Sequence, residues 1–277
     1  MKKLLALAGI SMLTVSVFAF DKDSSVALKG TAKSYTKTVY SVTEKFGEYF
    51  RSPLAKYQHN YDGATGREME TIELNARDVL VDKMSYQYDT SGRVIASSYF
   101  DADGNLAVKT QISYDESGNK LDESEYDKEG NLSGKIIYSY KDNTVDESYY
   151  NAEGALVWKN ISTKDSKGNI TSTSRYFGSG ALDEKYVPSY NEKSQLIGYE
   201  RYNVAGSLIE KVVYKLNADG ARTDEITYDG ENTVIQRKLW RYDDRGNPSR
   251  ITTYSVAEKF GGTVNELTSI VEFSYLF

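Results

Sequence analysis

The feature that most limits the fold is a short motif, Tyr-Asp-x-x-Gly, that returns at even intervals along most of the chain. The clearest copies are Tyr88-Asp89-Thr90-Ser91-Gly92, Phe100-Asp101-Ala102-Asp103-Gly104, Tyr114-Asp115-Glu116-Ser117-Gly118 and Tyr126-Asp127-Lys128-Glu129-Gly130. Weaker copies are headed by Tyr150, Lys164, Tyr176, Tyr202, Leu216 and Tyr242, with glycines at Gly154, Gly168, Gly180, Gly206, Gly220 and Gly246. Tyr140, Tyr190 and Tyr228 head copies without the last glycine. From Tyr88 to Tyr254 the heads are spaced 12, 14, 12, 14, 10, 14, 12, 14, 12, 14, 12, 14 and 12 residues. The larger repeat is a 26-residue pair of unequal units.

Even spacing suits strands, whose side chains alternate with period two. If all turns are alike, it places every head on one face. Asp-x-x-Gly supplies a type I turn, with glycine in the left-handed position and aspartate accepting from backbone two residues on. Removing a turn of about four residues leaves strands of roughly 8 to 10 residues. The long strands alternate apolar with polar, as in Leu106, Val108, Thr110, Ile112, Tyr114 against Asn105, Ala107, Lys109, Gln111, Ser113. The short strands are poorer, with Lys120, Asp122, Ser124 and Tyr126 in line with the heads, and are expected to be shallow or partly solvated.

Tyr40-Ser41-Val42-Thr43-Glu44-Lys45-Phe46-Gly47 nearly recurs as Tyr254-Ser255-Val256-Ala257-Glu258-Lys259-Phe260-Gly261. These read as longer-looped units, with room for one helical turn. The distance from Tyr61 to Tyr88 is odd, 27 residues, which predicts a bulge or an altered turn near 68–78 that restores the face. The expected organisation is a signal peptide over 1–19, N-terminal cap strands over 20–60, the hairpin array over 61–254 and a C-terminal cap strand over 255–277. The fold class is all-β: a tandem antiparallel meander of about 17 strands in an extended or curled twisted sheet.

Composition narrows the function. Lys2 and Lys3 precede an apolar run from Leu4 to Phe18, and Val17-Phe18-Ala19 resembles a cleavage site, so the chain reads as exported to the periplasm or cell surface. There is no cysteine, so no disulfide and no lipid-modified cysteine. The 34 basic and 40 acidic residues are interspersed, without the basic patch that nucleic acid would need. Tyrosine dominates the aromatics, 24 against 9 Phe and 2 Trp, which suits half-wet strands.

No catalytic residue is assigned. His59 is the only histidine, no Gly-x-Ser-x-Gly elbow accompanies it, and one His with no Cys serves a zinc site poorly. It reads as an ordinary strand residue. Carboxylates such as Glu123, Glu125, Asp146 and Glu147 are numerous enough to pair by chance. Asp101-Ala102-Asp103-Gly104-Asn105 lacks the closing Glu of a calcium loop, and the turn already explains it. Neither metal nor cofactor is therefore expected.

The aromatic row is the better candidate for binding: Tyr138, Tyr140, Trp158, Tyr176, Tyr186, Tyr190, Tyr202, Tyr214, Tyr228, Trp240 and Tyr242, all expected on the head-bearing face. The plainer reading, cross-strand ladders that hold the sheet, is preferred because the heads recur in nearly every unit.

Tyr86-Gln87-Tyr88-Asp89-Thr90-Ser91-Gly92-Arg93-Val94-Ile95 resembles the YD repeat of the RHS family, and Tyr242-Asp243-Asp244-Arg245-Gly246-Asn247 is similar to a second variant. The resemblance spans about Tyr61 to Tyr254. It implies extended, curling β-sheets that serve as shells or surface scaffolds and bind carbohydrate or protein. The array is short for a closed shell, and no cargo domain follows Tyr254.

Three functions follow. The leading one is an exported, non-enzymatic scaffold or binding protein with a protein or glycan partner in the envelope. The second is an outer-membrane β-barrel, suggested by Val271, Phe273, Tyr275 and the terminal Phe277, but disfavoured by charges on both faces of strands such as 120–126 and 222–228. The third is an envelope-polymer hydrolase, which a regular meander serves poorly.

Overall fold

The turns set the architecture. In the turn after Phe100, the Asp101 amide bonds the Asn105 carbonyl and the Gly104 amide bonds the Asp101 carbonyl, both at 3.0 Å. The Asp101 carboxylate accepts from the Asp103 and Asn105 amides. Gly104 has φ +80, a region that side chains rarely enter. The same pattern recurs along the chain, with Asp78, Ser194 and Asn232 taking the glycine place at φ near +60. In the turns led by Asp115 and Asp127, bonds from Asn119 and Asn131 hold the aspartate carboxyl below its usual range.

The computed structural model describes residues 28–259 and 261–277. The expected signal peptide over 1–19 lies outside them. Eighteen strands follow one another: β1 Ser34–Lys45, β2 Glu48–Tyr61, β3 Glu68–Asn75, β4 Leu80–Tyr88, β5 Val94–Phe100, β6 Leu106–Tyr114, β7 Lys120–Asp127, β8 Leu132–Lys141 and β9 Thr144–Asn151. Then come β10 Leu156–Lys164, β11 Ile170–Phe177, β12 Leu182–Tyr190, β13 Leu196–Asn203, β14 Leu208–Leu216, β15 Arg222–Asp229, β16 Val234–Tyr242, β17 Pro248–Lys259 and β18 Gly262–Leu276. Each pairs antiparallel with its sequence neighbour, as in β2 with β3 and β16 with β17.

The sheet closes. β1 pairs antiparallel with β18, from Ser34↔Leu276 to Ser41↔Ser269. The expectation of an extended or curled sheet of about 17 strands is therefore corrected to a closed barrel of 18. Twist accumulates from strand to strand and brings the two ends together, a consequence that no local motif announces. Closure also leaves no sheet edge along the paired wall. Tyr35 pins the seam: its ring stacks on His59 at 4.2 Å and lies near Tyr61, Phe273 and Tyr275. Only adjacent strands have Cα atoms within 8 Å, so among the described residues no strand touches one across the ring.

The heads do not share a face. Tyr88 pairs with Val94, but the next rung joins Gln87 to Ala96, so one residue is left over in the hairpin. The same shift occurs between Tyr99 and Phe100 and between Ser113 and Tyr114. One odd residue in each of these hairpins reverses the parity that even spacing preserves, and at β8–β9 the two-residue turn between Lys141 and Thr144 does the same. Heads that end long strands (Tyr88, Tyr114, Tyr140) therefore point inward, and heads that end short strands (Phe100, Tyr126, Tyr150) point outward.

Two smaller expectations change as well. The odd spacing after Tyr61 comes from a turn one residue longer, in which the Asp62 amide reaches the Arg67 carbonyl, whereas 68–78 holds the ordinary shifts, one that leaves Met69 over opposite Asn60 and Tyr61 and one at Glu73/Leu74. The two long-loop copies hold no helical turn; they are long hairpins, paired out to Lys45↔Glu48 and Lys259↔Gly262.

Candidate functional site: the inner wall

Burial identifies the concave face. Met84, Ile136, Tyr138, Val212, Ile251 and Val271 are buried there together with His59, Thr71, Glu123, Asn160, Glu184 and Glu225. The larger inner rings, among them Tyr99, Tyr149, Trp158, Tyr186, Tyr214 and Trp240, remain partly exposed. The inner side chains thus pack sideways against one another while their tips are wet, as in a ring too wide for its side chains to fill.

Long-strand tyrosines tie the wall together. The hydroxyls of Tyr88, Tyr114, Tyr140 and Tyr242 donate to the carbonyls of Glu68, Val94, Lys120 and Arg222, each 20 residues earlier, at 2.5–3.0 Å. Each bond joins the end of one strand to the start of the preceding one. Phenylalanine could not do this, which accounts for the tyrosine excess. Basic side chains lie over several inner rings, Arg93 over Tyr114 at 4.7 Å and Arg222 over Tyr214 at 3.6 Å.

Two polar clusters occupy the inner wall. In the first, Glu123 accepts from Tyr138 at 2.7 Å and from Lys120 at 2.5 Å. Beside it, Glu147 accepts from Asn160 at 3.2 Å. Burial pushes the Glu147 carboxyl above its usual range, with Glu123 adding to the shift and the Asn160 bond opposing it. The short strands that were expected to be shallow therefore carry these buried acids. In the second cluster, Arg201 bridges Glu184 at 2.9 Å and Glu210 at 3.4 Å. Tyr199 donates to Glu210 at 2.9 Å and lies between Tyr186 and Tyr214, at 5.0 and 6.4 Å. Arg222 lies over Trp240 at 5.5 Å.

Of the candidate aromatics, Tyr138, Tyr140, Trp158, Tyr186, Tyr190, Tyr214, Trp240 and Tyr242 stand on the inner wall. Tyr176, Tyr202 and Tyr228 stand outside, opposite Lys159, Lys185 and Lys211. Tyr149, Tyr199, Glu184, Arg201 and Glu210 also belong to the inner wall, and a one-face parity reading misses those on odd-numbered positions. His59 is more than an ordinary strand residue: it is 1% exposed and lies 2.6 Å from Glu68.

The outer face carries a second regularity. Lys83, Lys109, Lys135, Lys159, Lys185, Lys211 and Arg237 each stand fourth in a long strand. Each pairs directly with the head of the following short strand: Phe100, Tyr126, Tyr150, Tyr176, Tyr202, Tyr228 and Tyr254. Carboxylates stand diagonally beside several of them, as in Lys159–Asp146 at 2.7 Å and Arg237–Asp224 at 2.5 Å. A belt of charge therefore runs along the outer face from β4 to β17, near the middle of the long strands. The signal is present in the sequence as a basic residue 15 or 17 positions before each short-strand head.

Among the described residues, no group of three or more metal-binding side chains comes together. Among the same residues, no helix is long and apolar enough to cross a membrane.

No family model matches the chain, and no curated protein matches it. Among solved structures, it is similar to a porin-like protein from Bacteroides uniformis, with 11% identity, 90% of this chain and 99% of that one covered, and TM-score 0.48. It is also similar to a DUF1329 family protein from Desulfovibrio piger, with 12% identity, 88% and 85% covered, and TM-score 0.29. A third likeness, to TcdB2-TccC3-TEV, has 14% identity, covers 77% of this chain and 16% of that one, and has TM-score 0.19. At these identities and scores, none of the three identifies a family.

Proposed function

We propose that this chain is an exported, non-enzymatic binding barrel that stands in water within the cell envelope and receives a glycan or a protein segment against its inner wall. The observation that carries this reading is the outer belt. A transmembrane barrel needs an apolar outer band about 25 Å tall, and a Lys or Arg at mid-bilayer costs about 2–4 kcal/mol. Seven such residues would cost on the order of 10–30 kcal/mol, more than the stability of an ordinary domain. The inner wall, by contrast, combines partly exposed Tyr and Trp with carboxylates, guanidinium groups and an amide, a chemistry suited to hydroxyl-rich or peptide ligands. The leader-like first residues and the YD-repeat resemblance support export and a scaffold role. The outer-membrane barrel remains the second reading, favoured by closure, although Val271, Phe273 and Tyr275 face the lumen and not an outer lipid band.

Both tryptophans stand on the inner wall, so their fluorescence reports on the lumen. Residues 20–277 should purify without detergent. Titration with envelope glycans, and separately with envelope protein extracts, should shift Trp158 and Trp240 emission saturably. A chain that stays monodisperse only in detergent, or an emission that no fraction changes, would overturn the reading.

A further inference from the structure

The two near-identical segments 40–47 and 254–261 lead into hairpins that leave the barrel at the same end. Pairing between β1 and β18 stops at Ser41↔Ser269. Support from β3 stops at Ala55↔Asn75 and support from β16 at Gln236↔Ser255. Beyond those rungs, 42–54 and 256–267 stand as two-stranded ribbons, and Arg51 on the first meets Glu272 of β18 at 2.6 Å.

The tip of the first ribbon is chemically odd. Phe46 has φ 57 and Gly47 has φ +79, a two-residue turn with both positions left-handed. Such turns favour Asn-Gly or Asp-Gly, because a bulky side chain at the first position is strained. The Phe46 ring is wholly exposed, at 104%, and gains no packing within the chain. The chain therefore accepts strain in order to hold a bare ring away from the barrel, and the dipeptide recurs in the sequence as Phe260-Gly261.

We propose that the Phe46-tipped ribbon seats the barrel mouth on a phospholipid bilayer, with Phe46 entering its interfacial region. A single ring offers about 200 Å², against about 800 Å² per partner in a stable protein interface. A bilayer, unlike a protein pocket, accepts isolated rings one at a time. Tyr49 and Phe50, half exposed behind the tip, suit the headgroup level. Glu44 and Glu48 flank Lys45 at the first tip, and Glu258 offsets Lys259 at the second, so the tips carry no net positive charge and have no preference for anionic lipid. This inference does not depend on what enters the lumen.

The test is co-sedimentation of residues 20–277 with phosphatidylcholine vesicles, with and without a third phosphatidylglycerol. The chain should pellet equally with both. Phe46→Asn should weaken binding about tenfold, as the loss of one buried ring would. Phe46→Asn should also raise the melting temperature, because Asn relieves the turn; weaker binding then cannot be ascribed to misfolding. Failure of the wild type to pellet, unchanged binding of Phe46→Asn, or binding only to anionic vesicles would overturn the proposal.

Discussion

The two faces of the barrel wall use the same side chains to opposite ends. On the outer face, Lys or Arg, Tyr and a carboxylate recur in a fixed register, and a pair such as Lys159–Asp146 is about one-third exposed on both sides. On the inner face, the order is irregular and the contacts are buried: Arg201 and Glu184 are 18% and 7% exposed. Repeated charge pairs therefore mark the face that water screens. Beside the recurring tyrosine–carbonyl bonds, the charges of the inner face each need their own partner, and that is where a ligand would be selected.

The largest test of this contrast pairs two charge deletions. Arg201→Met should destabilise the fold by about 3 kcal/mol, because it leaves Glu184 buried without its cation. Lys159→Met on the outer face should cost about 0–1 kcal/mol. Urea denaturation at neutral pH compares them, and equal effects would erase the distinction between the faces.

The next test removes one hydroxyl from each face. Tyr114→Phe should cost about 1 kcal/mol, since its hydroxyl bonds the Val94 carbonyl at 2.8 Å. Tyr126→Phe, opposite Lys109 on the outer face, should change the melting temperature little.

A pH comparison sharpens the inner face further. Because folding raises the Glu147 pKa, the fold is favoured by the protonated acid and penalised once the pH passes above that raised value. Glu147→Gln should therefore raise the melting temperature at pH 7, and the gain should vanish near pH 4, where the carboxyl is neutral in both states. A gain that persists in acid would point to packing rather than charge.

The smallest effect lies in the turns. Ser194 holds the glycine place at φ 59, so Ser194→Gly should add about 0.5 kcal/mol. Asn232→Gly should add less, because Asn tolerates that conformation. Thermal melts of the two variants make the comparison.

These contrasts also show how far the sequence could be read. Turns led by Asp101 or Asp115 carry their own chemistry within five residues, so strand ends and antiparallel pairing were legible. The faces were not, because the residue left over beside Tyr88 or Tyr114 has no marker of its own, and leaving it uncounted puts Tyr176, Tyr202 and Tyr228 on the wrong face. Closure through Ser34–Ser41 and Ser269–Leu276 was illegible for another reason: it arises from twist summed over the whole ring. The Arg201–Glu184–Glu210 cluster could emerge only once the faces were known. The Lys83-to-Arg237 series was visible throughout, as a basic residue at the same place in every long strand.

The most direct test of the closed, water-standing ring is a cross-link at its seam. The chain has no cysteine, and Val39 faces Val271 across β1 and β18. Val39→Cys combined with Val271→Cys should oxidise to a single disulfide in detergent-free buffer, in a monomer with native circular dichroism. Thiols that stay free, or that link only between molecules, would show that the two ends of the sheet do not meet.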